Sequence, residues 1–204
     1  MRVEVERALA DLQEVRDRLA SVQRFRGYSS RVAAASGAFA IAGGVIQGLL
    51  VPAPTTPDQI RLYLVIWMAC LGAALAVYYG NLALRYANKA GRAARAQTKT
   101  VSLTILPALA LGAVLSIAVY VHGVPTLLPG IWYSCYGLGL FASRNMIPRG
   151  VMPIAAGFGL VGALLLLGLS VTLPLRFWIM PLGFSIGQFA IAWLIAQEGS
   201  EEMS

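Results

Sequence analysis

The chain has 204 residues, of which 58% are hydrophobic and 12% charged, with a formal net charge of +7. Soluble domains average about 45–50% apolar and about 25% charged residues, and a fold of this size cannot hide the excess from water. This balance argues against a soluble enzyme, a secreted disulfide scaffold, a disordered tail and a nucleic-acid-binding domain; two cysteines and one histidine leave little from which to build a metal site.

From the N-terminus, residues 3–25 read as an amphipathic helix about 35 Å long at 1.5 Å per residue. Val5, Ala8, Leu12, Val15, Leu19 and Val22 alternate spacings of three and four, an a/d coiled-coil seam over three heptads. Glu14 and Arg18 sit one turn apart in the favourable order. Three heptads are marginal alone, so the seam needs a partner: a second copy, a different protein, the chain's own cytoplasmic loop or the headgroup region. Lipid-surface helices favour Lys/Arg on the polar face, whereas Glu4, Glu6, Asp11, Glu14 and Asp17 make this one mixed in sign, which favours protein. Arg24 to Arg31 then form a basic elbow in which Gly27 stops the helix and Phe25 and Tyr28 dip into the interface.

Six apolar runs follow: Val32–Val51, Leu62–Leu84, Val101–Val121, Thr126–Ala142, Val151–Leu173 and Phe177–Ala196. A bilayer core of about 30 Å needs roughly 20 apolar residues in a helix, and in lipid each backbone N–H must find a partner within its own segment. The runs are continuous rather than alternating, which disfavours a barrel. The predicted fold is all-α: a cytoplasmic helix and elbow (1–31), a six-helix transmembrane domain (32–197) and a short acidic tail (198–204). The N-terminus lacks the early apolar stretch of a cleavable signal peptide.

Lys/Arg placement sets the orientation. Seven basic residues precede the first run, Arg85, Lys89, Arg92, Arg95 and Lys99 follow the second, and Arg144 and Arg149 follow the fourth; only Arg61 and Arg176 fall on the other side. Both termini are therefore expected in the cytoplasm. Tyr63, Trp67, Tyr120, Trp132 and Trp178 read as outer interfacial anchors, and Tyr28, Tyr86, Phe141 and Trp193 as inner ones. Short loops on a small chain point to a bacterial cytoplasmic membrane.

Leu19-Ala20…Phe25-Arg26-Gly27-Tyr28, Leu127-Leu128-Pro129-Gly130-Ile131-Trp132…Tyr136-Gly137-Leu138-Gly139 and Trp178…Pro181…Gly183-Phe184 belong to a pattern that runs through most of the chain. This pattern resembles a family of uncharacterised bacterial inner-membrane proteins, often encoded beside a small winged-helix transcription regulator. The resemblance implies an architecture and a partner, not a reaction. Family members often carry a histidine in the last span shortly after the Gly-Phe pair, where this chain has Gln188.

An ionisable residue inside the membrane is the usual sign of function, and none stands well inside any run. Hydroxyls there can bond back to their own helix. Gln47 and Gln188 are costly in hydrocarbon and are expected to face protein as interior polar contacts. Gly157–Gly162 matches the dinucleotide fingerprint by letter but lies within an apolar run, so it reads as helix packing, as do Gly44…Gly48 and Gly183…Gly187. Pro107, Pro153 and Pro181 each remove a backbone bond and can kink a helix, but Pro153 is near a span start, where proline is readily tolerated, and Pro107 lies in an early turn of its span. Cys70 and Cys135 should lie at similar depth as small buried hydrophobes, and His122 in a solvated loop. Arg61-Leu62-Tyr63-Leu64 and Arg176-Phe177-Trp178-Ile179, with Gly72 and Gly187 following at equal distance, hint at a hairpin repeat.

No catalytic, cofactor or metal residues are assigned. The expected function is that of a non-enzymatic membrane protein. It would interact through its N-terminal helix and basic loop with the bilayer and with a cytosolic protein or itself, and not directly with nucleic acid. The alternative is a carrier or channel for a small neutral or apolar molecule.

Overall fold

The structure, a computed structural model, describes Leu12 and residues 29–89, 92–144, 147–168 and 174–201. Every regular element among them is helical: α1 (Ser30–Leu50), α2 (Pro57–Lys89), α3 (Arg92–Val121), a 3₁₀ turn (Pro125–Leu127), α4 (Leu128–Ala142), α5 (Val151–Leu166) and α6 (Ile179–Glu201). Four stretches are long and apolar enough to cross a membrane: Ser30–Leu50, Pro57–Asn81, Thr104–Val121 and Ile179–Glu198. The chain is thus a multi-pass membrane protein by length and composition. The fourth and fifth predicted spans correspond to shorter helices of 15 and 16 residues.

Local chemistry sets several helix ends. Thr56, Pro57 and Gln59 form a capping box at the start of α2: Gln59 N donates to Thr56 Oγ1 at 3.4 Å, and Thr55 N and Thr56 N donate to Gln59 Oε1 at 2.9 and 3.3 Å. Asp58 adds a negative charge in the first turn. The fifth predicted span stops early because Gly168, at φ +69°, takes the left-handed conformation that ends a helix. Pro153 and Pro181 lie in the first turns of α5 and α6, where no intrahelical N–H is lost. Neither therefore kinks its helix. Pro107 lies in the first turn of the membrane-length stretch Thr104–Val121, as expected, but well inside α3, because that helix begins at Arg92.

Each helix packs on its sequence neighbours, and α6 returns to α1, so the six form a closed ring. The most extensive contacts are α4 on α5 and α1 on α6. Small residues make both possible. A Cβ on Gly137 would lie 2.8 Å from Ala155 O and 2.9 Å from Gly159 N, so α4 and α5 meet backbone to backbone. Gly162 sits against Ser134, Gly44 against Pro181, Gly183 against Tyr133 and Gly187 against Phe158. Gly157 and Gly159, by contrast, would place a Cβ in open space. The packing surface of α5 is therefore carried by Gly162 and by the backbone at Gly159, not by the whole glycine motif.

The aromatic residues near the span starts correct the belt expectation. Tyr63 and Trp67 are 0% and 5% exposed and belong to the core. Trp178, Tyr120, Trp193 and Phe141 do face outward. The hairpin repeat also dissolves: Tyr63 is buried where Trp178 is 40% exposed, and a Cβ on Gly72 meets nothing where one on Gly187 meets Phe158.

Candidate functional site

The polar side chains of the interior cluster at helix crossings. Gln47 on α1 is fully buried. Its Nε2 donates to Leu175 O at 2.8 Å, and its Oε1 accepts from Trp67 Nε1 at 2.8 Å. One amide thereby ties α1 to α2 and to the segment leading into α6. Trp67 has found inside the protein the acceptor that an interfacial tryptophan finds in headgroups, which explains its burial.

Gln188 on α6 donates from Nε2 to Tyr136 OH at 2.5 Å, while its Oε1 has no hydrogen-bond partner. Tyr133 OH donates to Ile179 O at 2.7 Å, and Ser185 Oγ donates to Gly37 O at 3.3 Å. On the far side of α4, Trp132 Nε1 donates to Ser116 Oγ at 2.8 Å, and Ser116 Oγ donates in turn to Gly112 O at 2.6 Å. Ser36 and Ser143 bond back to their own helices, onto Val32 O and Gly139 O.

Aromatic rings fill the space between these contacts. Tyr133, Tyr136, Phe158 and Phe184 surround one another with centroids 4.8–5.6 Å apart, in the tilted and edge-on geometries that ring quadrupoles favour. Tyr63 stacks on Trp132 at 5.9 Å with planes only 2° apart. The Tyr63 hydroxyl is buried without a hydrogen-bond partner. The four-ring cluster owes its position to Gly183 and Gly187, whose missing side chains admit Tyr133 and Phe158 against α6. The glycine spacing was readable in the sequence; the large rings opposite it were not.

At the end of the bundle that holds the α1–α2 loop, Arg61 pairs with Asp58 at 3.3 Å and donates from Nε to Tyr120 OH at 3.2 Å, joining α2 to α3. All three are exposed, so the pair adds little stability. His122 lies exposed in the loop after α3. Cys70 Sγ donates to Phe39 O at 3.5 Å and packs on Gly43, while Cys135 faces Gly112, so the two thiols sit in different helix interfaces. Among the described residues no three His, Cys, Asp or Glu side chains gather.

Chemically, the interior offers amides, phenols and hydroxyls used largely as interhelical ties. Of the predicted seam, Leu12 is described and is 65% exposed; Val5, Ala8, Val15, Leu19 and Val22 lie outside the described residues. The side chains of Arg85, Lys89, Arg92, Arg95 and Lys99 lie outside them too. Comparison with protein-family models, with curated proteins and with solved structures finds no match to this chain.

Proposed function

We propose that this chain is a non-catalytic six-span protein of a bacterial cytoplasmic membrane, with both termini inside, whose working surface is cytoplasmic. The helix over 3–25, through Val5, Ala8, Leu12, Val15, Leu19 and Val22, recruits a protein partner together with the basic Arg85–Lys99 segment. The observation that carries this reading is the filled interior. Rings at van der Waals spacing fill the space between α4, α5 and α6, where a carrier needs a polar path. The exposure of Leu12 agrees with a seam that seeks a partner outside the bundle. The resemblance to inner-membrane proteins encoded beside a winged-helix regulator gives the partner a class, a cytosolic regulatory protein.

Six crossings are favoured although α4 and α5 are short. The 3₁₀ turn and α4 together rise about 28 Å, close to the about 30 Å of a bilayer core. A Cβ on Gly150, in the α4–α5 loop, would lie 3.1 Å from Leu194 Cδ2, near the far end of α6. That contact supports a loop level with the far part of α6.

The test is crosslinking and pulldown from membranes, comparing wild type with the Leu12→Asp, Leu19→Asp double variant. Each leucine buried in a seam is worth about 1.5–3 kcal/mol, so the double change should abolish capture while the bundle stays folded. Asp17→Ala, on the polar face, should leave capture unchanged. Equal capture by wild type and double variant removes the proposal's support. A second reading, a carrier for a small neutral molecule, draws on the unpaired Tyr63 hydroxyl and Gln188 Oε1. It requires Tyr63→Phe to impair uptake.

A further inference from the structure

An apolar concavity lies on the outside of the bundle. Where α1 crosses α6, Gly44 and Gly48 bring α1 down onto Pro181 and Phe177, and a furrow opens along the seam. Its volume is about 580 Å³, within the about 300–1,000 Å³ of ligand clefts. Val45 and Ile186, 56% and 63% exposed, stand as its two walls. The lining is apolar apart from Ser185, whose hydroxyl donates to Gly37 O.

The furrow has a direction. The antiparallel register sets Gly48 opposite Phe177 at one end and Ile41 near Ser185 and Ile186 at the other. From Leu49 to Ile41 it runs about 12 Å along α1, close to the about 15 Å of one hydrocarbon leaflet. The Phe177 end is the membrane edge: Phe177 N donates to Pro52 O in the α1–α2 loop at 3.1 Å. There Trp178 lines the mouth, 40% exposed, and Arg176, also exposed, immediately precedes the two aromatics. An arginine and a tryptophan at the edge of a leaflet-deep apolar furrow match a phosphate above an acyl chain.

We propose that this furrow is a phospholipid site, with one acyl chain lying between Val45 and Ile186 and the lipid phosphate held by Arg176. The site requires the bundle to lie in a membrane and is independent of the partner-binding reading. Occupancy is set by contact: the furrow offers the chain side chains from both α1 and α6, where the α3 face, with Leu111, Val114 and Ile117 exposed, offers those of one helix.

The experiment uses the full chain in vesicles of phosphatidylethanolamine and phosphatidylglycerol containing a phosphatidylglycerol with a photoreactive diazirine midway along one acyl chain. Label is mapped by peptide mass spectrometry. Peptides covering 41–49 and 177–186 are expected to carry at least fivefold more label than the α3 peptide covering 111–117. Val45→Trp with Ile186→Trp, which fills the furrow from its exposed walls, should lower that label to the α3 level. Arg176→Gln, a change at an exposed position, should lower it at least threefold. Equal labelling of both faces in wild type overturns the site. So does an efficient disulfide between two copies of a Val45→Cys variant, which would seat a second chain in the furrow. Uniform labelling leaves capture through the N-terminal helix intact, so the two proposals fail separately.

Discussion

Replacing Gly137 by alanine adds one methyl group between two helix backbones. Its Cβ would stand 2.8 Å from Ala155 O and 2.9 Å from Gly159 N, where ordinary contact begins at 3.4 Å. Neither neighbour is a side chain that can swing aside, so α4 and α5 must part by about half an ångström. A gap of that size forfeits about a quarter of each dispersion well across it. Gly130 and Gly162 lie in the same interface and share the loss. Overpacking of this kind costs about 1–3 kcal/mol. Gly159→Ala provides the control. It lies on the same pair of helices but meets nothing within 4 Å, so it should keep the helix-propensity gain of up to about 1 kcal/mol over glycine. The assay is reversible unfolding of the purified protein in mixed micelles, followed by circular dichroism. Gly137→Ala should be destabilised and Gly159→Ala neutral or stabilised. Equal effects, or a larger loss at Gly159, would refute the backbone-to-backbone arrangement.

Gln47→Leu removes two buried tertiary bonds, to Trp67 on α2 and to the segment before α6, each worth about 0.6 and at most about 1.7 kcal/mol in a membrane, so a loss of about 1–3 kcal/mol is expected in the same assay. A double-mutant cycle with Trp67→Phe should show a coupling of at least about 0.5 kcal/mol, and strict additivity would contradict the bond. Tyr63→Phe removes a buried hydroxyl without a hydrogen-bond partner and should stabilise the protein by about 1 kcal/mol; destabilisation would mean that the hydroxyl serves a partner. Oxidation of the folded protein should leave Cys70 and Cys135 both titratable as thiols, because they face α1 and α3 respectively. Formation of an intramolecular disulfide would overturn that packing.

Run length was enough to locate the helices, four of which include stretches long and apolar enough to cross a membrane, because a membrane segment must satisfy its own backbone and so declares itself by length. Glutamine in hydrocarbon was equally legible: the cost of an unpaired amide directs it to protein, and Gln47 bonds both α2 and the segment before α6. The aromatics misled. Tyr63 and Trp67 stand at a span start, where anchors are common, yet face inward because partners on other helices use them, and one-chain periodicity does not reveal those partners. The glycine motifs showed the opposite weakness. Their spacing announced close contact but not which glycine, since contact depends on the crossing point; Gly162 is covered and Gly157, five residues earlier, is open. Gly168 carried the stop signal for α5, but an apolar run continuing past it concealed the end of the helix.

The central claim is a bundle crossing the membrane six times with its interacting helix inside the cell, and the α4–α5 loop decides it. A hairpin of two short helices either crosses, leaving Arg149 in the cytoplasm, or turns back within the membrane and leaves four spans. The measurement is labelling of single cysteines with a membrane-impermeant maleimide in intact cells and in inverted vesicles. Cysteines replace Thr55, Arg92, His122, Arg149 and Ser204 one at a time, on a background with Cys70→Ser and Cys135→Ser. Positions 55 and 122 should label in cells, and positions 92, 149 and 204 only in inverted vesicles. Labelling of position 149 from outside, or from neither side, would contradict the six-span account.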